Sequence, residues 1–151
     1  MTMEKTDDFF IPENSVGMIS EDAYKQANLV IDSMKAIARL TYQSVCVINY
    51  FKKNFLYVSD NPLFLCGFQP DDVREVGYSF YFNQAPKDEI DMLLEINRAG
   101  FLFYNEFSID ERLKLFISYD FHIRDKDHKI LINHKLTPIL FADKKGLTNI
   151  K

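Results

Sequence analysis

All three histidines of the chain, His122, His128 and His134, fall inside one stretch, SYDFHIRDKDHKILINHKLTPI, residues 118–139. Imidazole is the commonest metal ligand and titrates near neutrality, so metal binding and acid–base chemistry are the first possibilities. Which of them applies depends on where each ring points. Leu113, Leu115, Ile117, Tyr119, Phe121 and Ile123 alternate with Lys114, Phe116, Ser118, Asp120 and His122. Further on, Ile130, Ile132, His134, Leu136, Pro138 and Leu140 alternate with a set that includes Asn133, Lys135 and Thr137. Both segments have the period of a strand with one buried face.

A hairpin buries one face, so the two apolar sets must share it. Opposed residue numbers must then add to an odd value. A loop from Asp125 to His128 pairs Arg124 with Lys129 and satisfies this. It sets His122 opposite Leu131 on the polar face and His134 opposite Tyr119 on the apolar face, about 10 Å apart along the strand. His128 falls in the turn. A zinc site needs its ligands within about 2.0–2.1 Å of one ion, and these three cannot converge. No metal is expected, and Asp120 with His122 makes only a pair. His134, among Ile132, Leu136 and Tyr119, needs a hydrogen-bond partner once buried. It is either a core histidine bonded to a tyrosine or a carbonyl, or a polar contact inside a ligand pocket.

Other chemistry is sparse. Asp71-Asp72 and Asp88-Glu89 sit at helix starts, where the helix dipole accounts for them. There is no nucleophile elbow, phosphate loop or dinucleotide fingerprint. Cys46 and Cys66 lie in apolar stretches and read as two buried thiols rather than a disulfide. No catalytic residue is assigned and no enzyme is expected. The enzymatic alternative is a cone-shaped isomerase with His134 and Tyr119 turned inward.

The elements that must position these residues follow from periodicity. Residues 1–19 read as a flexible arm. Ser20 caps a helix that runs to about residue 43, with Glu21 and Asp22 at its positive end. Ala23, Ala27, Val30, Met34 and Ile37 form a stripe along it, broadened by Ile31 and Ala38. The stripe lies either on the domain's own sheet or between two subunits. VCVINYF and FLYVS, joined by KKN, read as a hairpin. Asn61-Pro62 breaks it, and two short helical pieces end at Gly67 and Gly77. A longer helix starts at about Pro86, with Gly100 interrupting or ending it. FLFYNEF is ambiguous between helix and strand. The last third is strand-like, with a second turn at ADKKG and a final strand begun by LTNIK.

At 151 residues, with 14 Phe, 8 Tyr, no Trp and five each of Gly and Pro, one domain with a good core is expected. No apolar run approaches the roughly 20 residues of a membrane span, and MTMEKTDDFF is not a signal peptide. The cytoplasm is the expected compartment, with no membrane partner. A net charge of −4 without a basic cluster argues against nucleic-acid binding by this chain alone.

The order helix, two strands, short helices, one longer helix and three strands resembles the PAS fold, an antiparallel sheet whose concave face is roofed by helices. Asn61, then Gly67-Phe68-Gln69-Pro70-Asp71-Asp72-Val73 and Gly77, resembles the PAS stretch of asparagine, glycine-aromatic, turn, acids and final glycine. Arg124-Asp125-Lys126-Asp127 resembles the turn between the last long strands, with His128 where glycine is usual. Thr137-Pro138-Ile139 followed by Asp143-Lys144-Lys145-Gly146 resembles the approach to the final strand. Two departures are a short Asn61–Gly67 spacing and a truncated last strand. FYFNQAPKDEIDMLLEINRAG and the N-terminal helix resemble the sensory domains of bacterial LuxR-type transcription regulators, in which a helix-turn-helix domain follows.

The resemblance implies an α+β fold with a five-stranded antiparallel sheet over residues 44–151, behind the N-terminal helix. It implies a sensory module of a larger regulator, with DNA bound only by a helix-turn-helix domain absent here. Haem-binding PAS domains place a histidine on the long helix, and residues 86–100 have none. Cys66 in FLCGF does not match the reactive cysteine motif of flavin light sensors. No cofactor is therefore expected, with haem and flavin disfavoured, and a small organic ligand remains possible. Its expected walls are Phe80, Ile90, Leu94, Ile117, Tyr119 and His134. A homodimer through Ala23, Ala27, Val30, Met34 and Ile37 is expected, and a pure dimerisation module filled by its own aromatic rings is the alternative.

Overall fold

The computed structural model describes residues 7–141 and 149–150, the last two and Leu63 by backbone alone. The alanine of ADKKG and everything from there to Thr148 lie outside the described residues, as does Lys151.

A short 3-10 turn, Pro12–Asn14, precedes helix α1, Glu21–Thr41. Ser20 Oγ accepts from Ala23 N–H at 3.2 Å and caps α1 as its sequence predicts. Strands β1 (Cys46–Asn49) and β2 (Asn54–Val58) form the first hairpin. Four helices follow, α2 (Pro62–Leu65), α3 (Pro70–Val76), α4 (Ser79–Gln84) and the long α5 (Lys87–Asn105). A further turn of helix, α6 (Ile109–Arg112), leads to the main hairpin of β3 (Ile117–Asp125) and β4 (His128–Leu136). β5 (Leu140–Phe141) pairs with β6 (Asn149–Ile150).

This is a mixed α+β domain, but the described strands form three separate two-stranded antiparallel ladders. The single five-stranded sheet expected from the sequence is not present among them. Among the described residues β5 spans two positions and pairs only with β6, so no described strand bridges the β1–β2 hairpin to β4. The strand expected from Leu113 begins at Ile117 instead, because Ser108 and Glu111 form a capping box that starts α6.

α5 continues through Gly100, where an interruption was expected. Glycine costs a helix interior about 1 kcal/mol relative to alanine. Packing gives a reason for it here: a Cβ at residue 100 would lie 2.7 Å from Ile117 Cδ1. FLFYNEF is thereby helical over most of its length. Pro86 stands just before the first turn, and Asp88 and Glu89 sit at the positive end of α5.

The main core joins Ile48, Tyr50 and Phe55 of the first hairpin, the aromatic rings of α4, Ile90 and Leu93 of α5, and Phe121 and Ile123 of β3. β1 has two buried sides. Ile48 enters this core, whereas Val47, equally buried, does not. α1 is tied to the same strand through Asn49, whose Nδ2 donates to Tyr24 Oη at 3.0 Å. Ala27 and Ile31, one and two turns beyond Tyr24, are buried and also stand outside the main core. α1 therefore lies on the opposite side of β1 from the aromatic interior. No helix of the described residues is long and apolar enough to cross a membrane.

Candidate functional site

The site is built around the β3–β4 hairpin. Its register pairs Tyr119 with His134, His122 with Leu131 and Arg124 with Lys129, as the alternation requires. The ladder extends one pair further, to Asp125 and His128. Lys126, in the tight turn, takes a positive φ of 54°, a conformation that favours glycine or asparagine.

Tyr119 and His134 face the core. His134 Nδ1 and Tyr119 Oη lie 2.7 Å apart, and the rings meet edge-on at 5.1 Å. Asp120 points the other way and is exposed, where Asn133 donates to it at 2.7 Å. Burial holds the His134 imidazole well below its usual range, at about 4, so the ring is neutral at pH 7. His122 is elsewhere: Glu89 of α5 accepts from its main-chain N–H at 2.7 Å and sits 2.6 Å from its Nδ1. His128 is exposed at the turn. The three histidines are thus partnered or exposed separately.

Behind Tyr119 and His134 lies a cavity of about 20 Å³, room for about one water molecule. Ile48, Tyr81, Leu93, Asn97 and Phe121 are among its walls, and so is Phe9. Of the expected walls, Tyr119 and His134 line this cavity. Phe80 is buried against Phe64 and Phe68, and Ile90 is buried in the core beside half-buried Leu94. Ile117 packs over Gly100, at a second, open groove of about 400 Å³ with Phe103 and Phe116. The six are not brought together in one pocket.

Phe9 is the part of the site that sequence reasoning missed. It belongs to the segment read as a flexible arm, yet it is 7 % exposed and its ring lies 5.2 Å from those of Tyr78 and Phe82. Its carbonyl oxygen accepts from Asn97 Nδ2 at 2.9 Å and Asn14 Nδ2 at 2.7 Å. The available signal was an apolar pair, Phe9-Phe10, followed by Pro12 and Asn14. That pattern has no helix or strand period, so periodicity passes over it.

Chemically the interior offers hydrogen bonds rather than reactive groups. Burial raises the phenols of Tyr50, Tyr78, Tyr81 and Tyr119. It pushes the Cys46 and Cys66 thiols up to about 11, so neither is a thiolate at neutral pH. Both cysteines are free. The Tyr81 hydroxyl is buried and has no hydrogen bond of ordinary geometry; its nearby polar group is the Cys46 thiol, a weak partner.

On the expected dimer stripe, Ala27 is fully buried within its own chain and Ala23, Val30 and Met34 are half-buried. Ile37 is 43 % exposed, and Leu29 and Leu40 beside the stripe are more exposed still.

No protein-family model, curated protein or solved structure matches the chain.

Proposed function

We propose that the chain is a sensory, signal-transmitting domain of PAS type, the N-terminal part of a LuxR-type transcription regulator, and that it works without catalysis. DNA would be bound by a helix-turn-helix domain outside this chain. The observation that carries the reading is the double role of β1. Ile48 is a wall of the aromatic interior, while the next residue, Asn49, holds Tyr24 of α1. A change of packing inside therefore has a short mechanical route to the N-terminal helix. A ligand that prefers one arrangement of the interior would shift α1 and, with it, the pairing of two subunits through Val30, Met34 and Ile37. A ligand with equal affinity for both arrangements would transmit nothing.

The pure dimerisation module is supported by a specific observation as well. Rings from the chain itself fill the space between hairpin and α5, leaving only about 20 Å³. A guest of drug size needs some 300 Å³ or more, so it would enter only after a rearrangement.

Sedimentation of the full chain tests the common element of both readings. The wild type is expected to dimerise, and Val30→Glu and Met34→Ser to weaken the dimer by about tenfold or more, since a buried unpaired charge or lost apolar contact costs over 1 kcal/mol. Wild-type monomer at all concentrations, or unchanged dimers in both variants, would remove the subunit seam. Native mass spectrometry of freshly purified chain adds the second half: a retained mass separates sensor from bare module.

A further inference from the structure

We propose that Phe9 is a built-in occupant of the interior site, and that the site takes an aromatic small molecule bearing a carbonyl oxygen, admitted when residues 9–14 are displaced. The proposal rests on the sensory reading above and names its ligand class.

The chemistry of the class is taken from what the site already holds. Phe9 presents a six-membered ring to Tyr78, Tyr81 and Phe82. Immediately beside the ring it presents one carbonyl oxygen to the side-chain amide of Asn97, at 2.9 Å. A molecule with the same two features satisfies the same walls. Once Phe9 leaves, the Asn97 amide is a half-buried donor facing a cavity. The Tyr81 hydroxyl, 5 % exposed by residue and without an ordinary hydrogen bond, is a second donor lining it. Buried donors of this kind gain from an acceptor.

The segment is also constructed to leave as a unit. Asn14 Nδ2 bonds the Phe9 carbonyl, Asn14 Oδ1 accepts from Ile11 N–H at 3.0 Å, and Ser15 Oγ donates to the Ile11 carbonyl. These bonds are internal, so they hold the segment together without anchoring it to the rest of the domain, and they open to water once it is undocked. The main-chain bonds of this segment are also local, joining Phe10 to Asp7, Asn14 to Ile11 and Ser15 to Pro12. Its hold on the rest of the domain comes through side chains: the rings of Phe9 and Phe10, Ile11 and Val16 packed on the core, Asn97 on Phe9, Asn105 on the Glu13 carbonyl, and Lys53, which lies over the Phe10 ring and pairs with exposed Asp7. Local opening of such a segment is easier than opening of the hairpin ladder.

The test uses the full chain with N-acetylphenylalaninamide as probe, and toluene and acetamide as half-probes. In the wild type, saturating probe is expected to accelerate amide exchange at Ile11 and Asn14 by about tenfold or more while β3–β4 stays protected. Phe9→Ala removes the ring that anchors the segment, so the segment undocks and takes its main-chain carbonyl off Asn97, and the probe is expected to bind at least about tenfold more tightly than to wild type. Adding Asn97→Ala should cancel that gain. Toluene bound by Phe9→Ala as tightly as the probe would reveal a mere apolar void and overturn the proposal. So would probe binding to wild type with Ile11 and Asn14 still protected. If Phe9→Ala fails to fold, Asn97→Ala in the intact chain decides: faster exchange confined to residues 9–14 supports the proposal, and unchanged exchange refutes it. These readouts are local to the segment, so a failure here leaves the dimer measurement above to judge the sensory reading on its own.

Discussion

At the scale of single residues, His134 is the group whose surroundings matter most. It was legible as an inward-facing polar residue because alternation fixes the face and pairing fixes the neighbour. That its partner would be the Tyr119 hydroxyl was one of the options the sequence left open, and geometry selects it. The held-down imidazole has a consequence for stability. Its pKa falls from 6.5 to about 4 on folding, so between those values the unfolded chain binds a proton that the native chain does not. Stability from this residue is present above about pH 6.5, declines as the pH drops and is lost near pH 4. The full difference is on the order of 3 kcal/mol. Urea unfolding of wild type and His134→Leu at neutral and acid pH checks this. The wild type should lose more stability on acidification than the variant, by about that amount; equal losses would show that the ring is not buried as described.

Elements were legible in proportion to their periodicity. The β3–β4 hairpin, whose odd and even sets are cleanly separated, was placed in the correct register. α1 was found from its cap and stripe. α4 and α6 went unassigned because each is shorter than two periods of a helix and, unlike α2 and α3, neither is followed by a terminating glycine; Gly100 was misjudged because local propensity opposed a tertiary contact. The close approach of Ile117 makes a direct prediction. Gly100→Ala gains about 1 kcal/mol of helix propensity and loses a similar amount as Ile117 Cδ1 is pushed aside, leaving the melting temperature nearly unchanged. Gly100→Val cannot be accommodated by one methyl shift and should destabilise by about 1–3 kcal/mol. The outer edge of β3 supplies a second prediction. Glu89 takes the His122 N–H there and so covers part of an unpaired strand edge. Glu89→Ala should cost about 1 kcal/mol, discounted for the half-exposed His122 side chain. Exchange at the His122 amide should rise more than at its β4-bonded neighbours. Unaltered exchange would mean that α5 does not clamp the strand.

At the scale of the whole molecule, composition foretold a single aromatic-rich core but not which segments would fill it. Phe and Tyr are spread along the chain, so their number says nothing of whether a cavity is left open. The N-terminal segment fills it partly through contacts that span almost ninety positions, Phe9 to Asn97, and no local pattern encodes such a distance. The expected single sheet failed for a related reason: five strands predicted one by one carry no information on which ladders join them. What unites the described parts is β1, bonded to α1 on one side and walling the interior on the other. Its Asn49 is fully buried and also accepts from the N–H groups of Phe51 and Lys52, so the turn, the strand and α1 share one side chain.

The most direct measurement of that linkage is the dimer dissociation constant, by sedimentation, of wild type, Phe9→Ala, Tyr24→Phe and the double variant. Emptying the interior at Phe9 is expected to shift the constant about fivefold or more, the low end of ordinary coupling between sites. In the Tyr24→Phe background, where Asn49 has lost its hold on α1, the same change should have little effect. Equal shifts in both backgrounds, or no shift in either, would contradict transmission through β1.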